Sequence, residues 1–220
     1  LIKIRNCMEQ DLSNYRKSYG KEKLLEENLK ENPLEFFRDW FLEADSDEKI
    51  TEANAMTVTT IGLDDFPKAR VVLLKKYTEE GFVFYTNYDS EKGKAIAANP
   101  HICLSFFWPV LERQIIIKGR AEKLAENLSD GYFESRPLPS QYSAIASPQS
   151  DVISSKEVLE EKIKALEKNN TLPKRPKNWG GYLVRPMSME FWQGRPNRLH
   201  DRFRYTVQEN YDWKIERLAP

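Results

Sequence analysis

Residues 54–87, NAMTVTTIGLDDFPKARVVLLKKYTEEGFVFYTN, decide the fold. Apolar and threonine positions alternate from Asn54 to Ile61, Arg70-Val71-Val72-Leu73-Leu74 is rich in β-branched residues, and Gly81 to Asn87 is aromatic and β-branched. Runs of this kind, cut by polar connections, predict strands near 54–61, 68–76 and 81–87. Leu63-Asp64-Asp65-Phe66-Pro67 and Thr78-Glu79-Glu80-Gly81 are short enough to be hairpin connections, so the three strands form an antiparallel meander.

Downstream, Asp89-Ser90 opens a short helix ending near Asn99-Pro100, followed by strands at 102–108 and 112–123 and a helix at 125–135. Arg136 to Ser150 carries Pro137, Pro139 and Pro148 without a period and reads as a functional or mobile loop. Ser154-Ser155-Lys156-Glu157 resembles a capping box before an apolar stripe of Leu159, Ile163 and Leu166. Strands near 180–185, 187–193, 202–207 and 211–217 close the chain. Upstream, residues 8–30 are charged and weakly periodic and read as helical, and Asn32-Pro33 forms an N-cap and first-turn pair. The helix it opens has Phe37, Trp40, Phe41 and Ala44 on one face. Many short antiparallel strands with few long helices predict an α+β protein built on a small barrel, because closure removes exposed edges.

Composition narrows the function. The 34 Lys and Arg residues balance 34 Asp and Glu, which leaves no global field to attract a nucleic-acid backbone. No apolar run approaches the roughly 20 residues of a membrane helix. The stretch from Leu1 lacks the apolar core of a secretory signal, so a cytoplasmic protein is expected, with no membrane or nucleic-acid partner. Cys7 and Cys103 lack a CxxC partner, and with only His101 and His200 besides, no disulfide framework or metal site is expected. Cys103, in an apolar strand, reads as a buried small residue. The nine glycines contain no GxGxxG, GxxxxGK[ST] or GxSxG, which removes dinucleotide, P-loop and nucleophile-elbow chemistry.

Five segments set cations beside hydroxyls, amides or aromatics: Arg70 to Lys75, Ser90 to Lys94, Tyr132 to Gln141, Gln149-Ser150, and Arg198 to Arg202. That mixture suits a phosphomonoester, which needs two or more cations plus neutral donors. Singly, each segment reads more readily as solvated surface charge or a weak surface pair. By default His200 is a hydrogen-bonded structural histidine and Trp192 a core residue, while Gln114 interrupts an apolar strand and needs partners.

Seven strings in register carry a more specific reading: Arg70-Val71-Val72-Leu73-Leu74-Lys75, Phe84-Tyr85-Thr86-Asn87, Leu111-Glu112-Arg113-Gln114, Tyr132-Phe133-Glu134-Ser135-Arg136-Pro137, Glu190-Phe191-Trp192-Gln193-Gly194, Arg198-Leu199-His200-Asp201-Arg202 and Glu216-Arg217-Leu218-Ala219-Pro220. Together they resemble the pyridoxine (pyridoxamine) 5'-phosphate oxidase family from about residue 10 to the end. The resemblance implies an antiparallel, Greek-key-like split β-barrel with peripheral helices, and FMN bound at the interface of a homodimer. It implies an N-terminal helical segment or lid over residues 1–32 and a single FMN-binding domain over 33–220.

Carried over position by position, it makes Arg70, Val71, Val72, Leu73, Leu74, Lys75, Tyr85, Thr86, Lys92, Gln114, Gln149, Ser150, Trp192 and Arg202 contacts to FMN. Lys75, Tyr132, Arg136 and Ser140 resemble the grip on a substrate phosphate, Arg16 and Tyr19 belong to the covering segment, and Arg198 and His200 resemble the catalytic pair beside the substrate ring. The implied reaction oxidises pyridoxine 5'-phosphate or pyridoxamine 5'-phosphate to pyridoxal 5'-phosphate, with dioxygen reduced to hydrogen peroxide. One departure stands out, since Ser90-Glu91-Lys92 has an anion where many relatives carry a cation beside the FMN phosphate. A flavin-binding reductase using nicotinamide, and a flavin-free pyridoxal phosphate carrier, are the alternative readings.

Overall fold

The computed structural model describes residues 10–168 and 171–220. Among them nine strands form one antiparallel sheet: β1 (Ala55–Ile61), β2 (Pro67–Leu73), β3 (Lys76–Thr78), β4 (Gly81–Asn87), β5 (His101–Trp108), β6 (Arg113–Lys123), β7 (Trp179–Gln193), β8 (Asp201–Val207) and β9 (Trp213–Arg217). The order is β2-β1-β5-β6-β7-β4-β3, with β8 and β9 attached beside β7. The meander is therefore split: β1 pairs with β2, but β4 lies between β3 and β7. Residues 67–78 pair with β1 over Pro67–Leu73 and with β4 over Lys76–Thr78, so one run of chain serves both ends of the curled sheet. At the switch the Leu74 N–H donates to the Asn54 carbonyl and the Lys75 N–H to that of Val83. The barrel thus opens at the segment predicted to carry cofactor contacts. This is the α+β split-barrel architecture expected from the sequence.

Helix α1 (Pro33–Ser46) packs against the sheet. The Asn32 side chain accepts from the Leu34 N–H, and Pro33 fills the first turn, where its missing donor costs nothing. Phe36, Phe37, Trp40 and Ala44 are buried. Phe37 meets Phe82 and Phe106 at 4.8 and 5.3 Å between ring centroids, and Phe36 meets Phe191 at 4.5 Å. Each such ring contributes roughly 1.5–3 kcal/mol of burial. Helices α2 (Glu91–Ala98), α3 (Glu126–Ser135), α4 (Leu138–Ala146) and α5 (Glu157–Lys168) complete the fold.

Three local expectations are corrected. Residues 10–32 are not helical apart from a single turn at Glu26–Asn28, and residues 1–9 of that segment lie outside the described residues. With no apolar stripe to bury, the segment instead gives its backbone donors to side chains of the barrel. Arg136 to Ser150 is not an aperiodic loop, because its middle is α4. Pro137 and Pro139 sit at the helix start, where proline is tolerated, so they begin a helix instead of breaking one. The strands expected at 180–185 and 187–193 are one strand, β7. Its first half pairs with β4 and its second with β8, and the register on β6 shifts beside Pro186, which has no N–H to give to either neighbour. No helix among the described residues is long and apolar enough to cross a membrane.

Candidate functional site

The run from Val71 to Lys75, with β4, α3 and α4, walls a cleft of about 480 Å3 that also meets Tyr85, Thr86, Tyr132, Arg136, Ser140 and Gln149. A second cleft of about 550 Å3, lined by Arg70, Lys92, Gln149 and Ser150, shares Val71, Lys92 and Gln149 with it. Strand alternation sends Leu74 the other way, into the hydrophobic core, so its side chain does not line either cleft.

Lys92, one residue into α2, is buried and donates to Thr86 Oγ1 at 3.1 Å and Gln149 Oε1 at 2.9 Å. Burial, and then the charge of Arg70, pull its pKa down to about 8. Arg70 Nη1 donates to Thr60 Oγ1 at 2.7 Å and to the Lys68 carbonyl at 2.8 Å. Two cations, an amide and a hydroxyl therefore converge, with Glu91, among the described residues, the one carboxylate on the wall of that cleft. Glu91 stands at the rim, bonded to Lys68 at 2.5 Å and 3.8 Å from Arg70. The departure noted in the sequence is thus a counter-ion on the outer wall, and it raises the Lys68 pKa.

In the first cleft Tyr85 and Tyr132 stack at 3.8 Å, and burial raises the Tyr85 pKa. Gly181 on β7 makes room for this, since a Cβ there would come within 2.9 Å of the Tyr85 ring. Arg136 Nη1 is buried without a hydrogen-bond partner. A buried guanidinium N–H that lacks an acceptor marks a place made for an anion.

The remaining predicted residues gather elsewhere. Gln114, Trp192 and Arg202 sit side by side on β6, β7 and β8. Arg202 is held by Glu190 at 2.7 Å and by the Ala219 carbonyl. Trp192 lies 4.7 Å from His200, and Tyr19 meets both rings edge-on, at 5.7 Å from Trp192 and 5.9 Å from His200. His200 Nδ1 accepts the Arg195 N–H at 3.1 Å, and burial followed by the charges of Arg198 and Arg202 lowers its pKa, so the ring is neutral near pH 7. Arg198 follows Asn197 in the left-handed region, with φ of 60° and 57°. Such backbone costs about 1–3 kcal/mol per residue and concentrates at working sites; Ser150, at φ 78°, is another case. Arg16 is exposed.

One residue of this second group was not foreseen. Glu112, buried at the β5–β6 turn with φ 56°, accepts from the Gly20 and Lys21 N–H groups at 2.8 and 3.0 Å, while its carbonyl takes the Gly194 N–H. A Cβ on Gly194 would come within 2.8 Å of Tyr19. Glu112 and Gly194 together seat the N-terminal segment on Trp192 and His200. The string around Glu112 was visible in the sequence, but its partner lay 92 residues away.

The two groups do not meet within one chain. Gln114, Trp192, Arg198, His200 and Arg202 line neither cleft. Val71 and Trp192 face the same outer side of the sheet, but β1, β5 and β6 separate their strands, about 19 Å at the usual strand spacing. On and around this part of the sheet Val71, Phe107, Ile61 and Met187 are exposed apolar side chains.

Residues 42–170 match the family model described as pyridoxamine 5'-phosphate oxidase, and residues 179–220 match the pyridoxine 5'-phosphate oxidase C-terminal dimerisation region. The pyridoxine/pyridoxamine 5'-phosphate oxidase of Flavobacterium psychrophilum is 66% identical over 96% of this chain and 100% of its own length. That of Pseudomonas fluorescens is 47% identical over 97% of this chain and 100% of its own. Among solved structures, PhzG from Burkholderia lata, in complex with tetrahydrophenazine-1-carboxylic acid, superposes with a TM-score of 0.84 at 28% identity, covering 90% of this chain and 98% of that one. An FMN-binding protein from Nostoc punctiforme shares the fold, with a TM-score of 0.69 at 14% identity over 87% of this chain and 100% of that one.

Proposed function

Because the chain belongs to the pyridoxine/pyridoxamine 5'-phosphate oxidase family, we propose that it oxidises pyridoxine 5'-phosphate or pyridoxamine 5'-phosphate to pyridoxal 5'-phosphate, using FMN and dioxygen and forming hydrogen peroxide. The observation that carries this reading is the pairing of two anion grips in adjoining clefts: Arg70, Lys92, Gln149 and Ser150 in one, and Lys75, Tyr132, Ser140 and the unpartnered Arg136 in the other. Two phosphomonoesters, one on the cofactor and one on the substrate, fit that arrangement. The donors present suit FMN, whose phosphate needs cations and neutral donors where Arg70, Lys92 and Gln149 converge.

FMN, when bound, supplies a two-electron acceptor that dioxygen reoxidises, which is why this chain needs neither a nucleophile nor a metal cluster. The residues position and polarise. Lys75, Tyr132, Arg136 and Ser140 hold the non-reacting phosphate of the substrate, turning remote binding energy into orientation at C4'. Arg198 lies by the ring and stabilises charge developing on the C4' oxygen or nitrogen, and His200, neutral and fixed by the Arg195 N–H, orients that group or takes its proton. With the amine substrate, water is consumed and ammonia released. Gln114, Trp192 and Arg202 contact FMN from a second copy, bound through the apolar outer face and the matched dimerisation region. Residues 33–220 are one FMN-binding domain, and the segment ahead of them covers the site with Arg16 and Tyr19, hinged where Glu112 holds Gly20 and Lys21.

The test is a peroxide assay with both esters on protein whose visible spectrum has been recorded. A yellow protein forming one peroxide per aldehyde is expected. Colourless protein after FMN soaking, oxidation of a nicotinamide cofactor alone, or turnover of a tetrahydrophenazine carboxylate but of neither ester would overturn the reading. A pH dependence follows from Lys92. Its lowered pKa means that the free site loses a positive charge as pH rises through about 8, so FMN affinity of the apoprotein should fall between pH 7 and 9. Fluorescence titration of FMN checks this, with Lys92→Met giving weaker binding and a flat profile; an equal slope in both proteins would reassign the ionisation.

A further inference from the structure

Tyr132 and Arg136 share a neighbour absent from the sequence-derived site, Trp179, the first residue of β7. Its indole is nearly buried and lines the first cleft. The Arg136 guanidinium carbon lies 4.6 Å from the indole centroid, against 5.9 Å from that of Phe133. No carboxylate pairs with Arg136 among the described residues, and its Nη1 is buried without a partner, so the aromatic face is what gives the group its direction. Tyr132 lies parallel to the indole within 6° at 6.2 Å, with Tyr85 stacked at 3.8 Å on Tyr132 and at 5.6 Å from Trp179.

The indole is itself fixed. Phe133 abuts it edge-on at 5.4 Å, and the Trp179 carbonyl accepts from Arg175 Nη1 at 2.7 Å. Arg175 Nε is in turn paired at 2.5 Å with Asp130 of α3, the helix that carries Tyr132. One clamp thus ties the start of β7 to the helix that bears part of the phosphate grip.

We propose that Trp179 is a positioning residue for the substrate-phosphate grip: a shelf under the Arg136 guanidinium that holds it at the wall of the cleft and keeps Tyr132 in line. The inference rests on the reading that Arg136 holds the ester phosphate. A planar guanidinium over a desolvated indole is a cation–π contact whose loss is worth roughly tenfold in affinity.

Trp179→Leu and Trp179→Phe are compared as holoenzymes in the wild-type and the Arg136→Ala backgrounds. The readouts are KM and kcat for pyridoxine 5'-phosphate, FMN content, and binding of inorganic phosphate by equilibrium titration. Trp179→Leu should raise KM and the phosphate dissociation constant about tenfold, and Trp179→Phe, which keeps an aromatic face, about threefold, with kcat and FMN content nearly unchanged. With Arg136 already removed, neither substitution should weaken phosphate further, because the shelf has nothing left to support. Unchanged KM, equal losses in both backgrounds, or a defect confined to kcat or FMN content would overturn the assignment. If Trp179→Leu fails to fold, the Trp179→Phe pair makes the same comparison. A wild-type enzyme that ignores the ester would instead defeat the functional reading, and phosphate titration would still decide the role of Trp179.

Discussion

Replacing Arg198 with alanine is expected to lower turnover by about 10²–10³ while FMN content stays at the wild-type level. Arg198 stands outside the clefts where Arg70 and Lys92 converge, on a turn whose two left-handed residues aim it beside His200. A cation there acts on charge that grows during the reaction, and its loss is felt in kcat. Arg70 gives the opposite signature. Its guanidinium, braced by Thr60 and the Lys68 carbonyl, faces the anion cleft, so Arg70→Ala should weaken FMN retention by roughly 10- to 100-fold, the size of a charge-assisted contact, with turnover of FMN-saturated enzyme little altered. Flavin absorbance after desalting, set beside kcat at saturating FMN, separates the two. Equal loss of both quantities in Arg198→Ala would contradict the assignment.

Two inactive variants should restore each other. If each site takes Arg136 from one subunit and Arg198 from the other, a heterodimer of Arg136→Ala with Arg198→Ala contains one intact site and one doubly damaged site. Co-expressed with two tags and purified through both, it should show about half of wild-type activity, although each parent homodimer is nearly silent. The separation of Val71, on the wall of both clefts, from Trp192 across three intervening strands motivates this experiment. A heterodimer no better than its parents would put both groups in one chain's site, and the outer face would then need a different partner.

Much of this was legible in the residues. The strands, the N-cap at Asn32 and the helix at Ser90 follow from alternation, proline and capping chemistry, which act over a few residues. The resemblance named the residues of both groups because their strings survive in order. Wrong readings arose where a local rule met a distant partner. The charged segment ahead of Asn32 lost its helix because its backbone donors go to Glu112 and Asp201, and the prolines after Arg136 opened a helix that packs beside α5.

By itself, then, the order of side chains determined most of the strands, the helices at Asn32 and Ser90, and the neutral overall charge, since each depends on residue type and near-neighbour spacing. Only the tertiary structure decided that the predicted site falls into two groups on one sheet, that Glu91 is a counter-ion to Lys68, and that Trp179 lies under Arg136. The reason is physical: strand order and the curl of the barrel set which remote residues share a face, and those follow from burying the whole apolar surface at once, a property of no single stretch of chain.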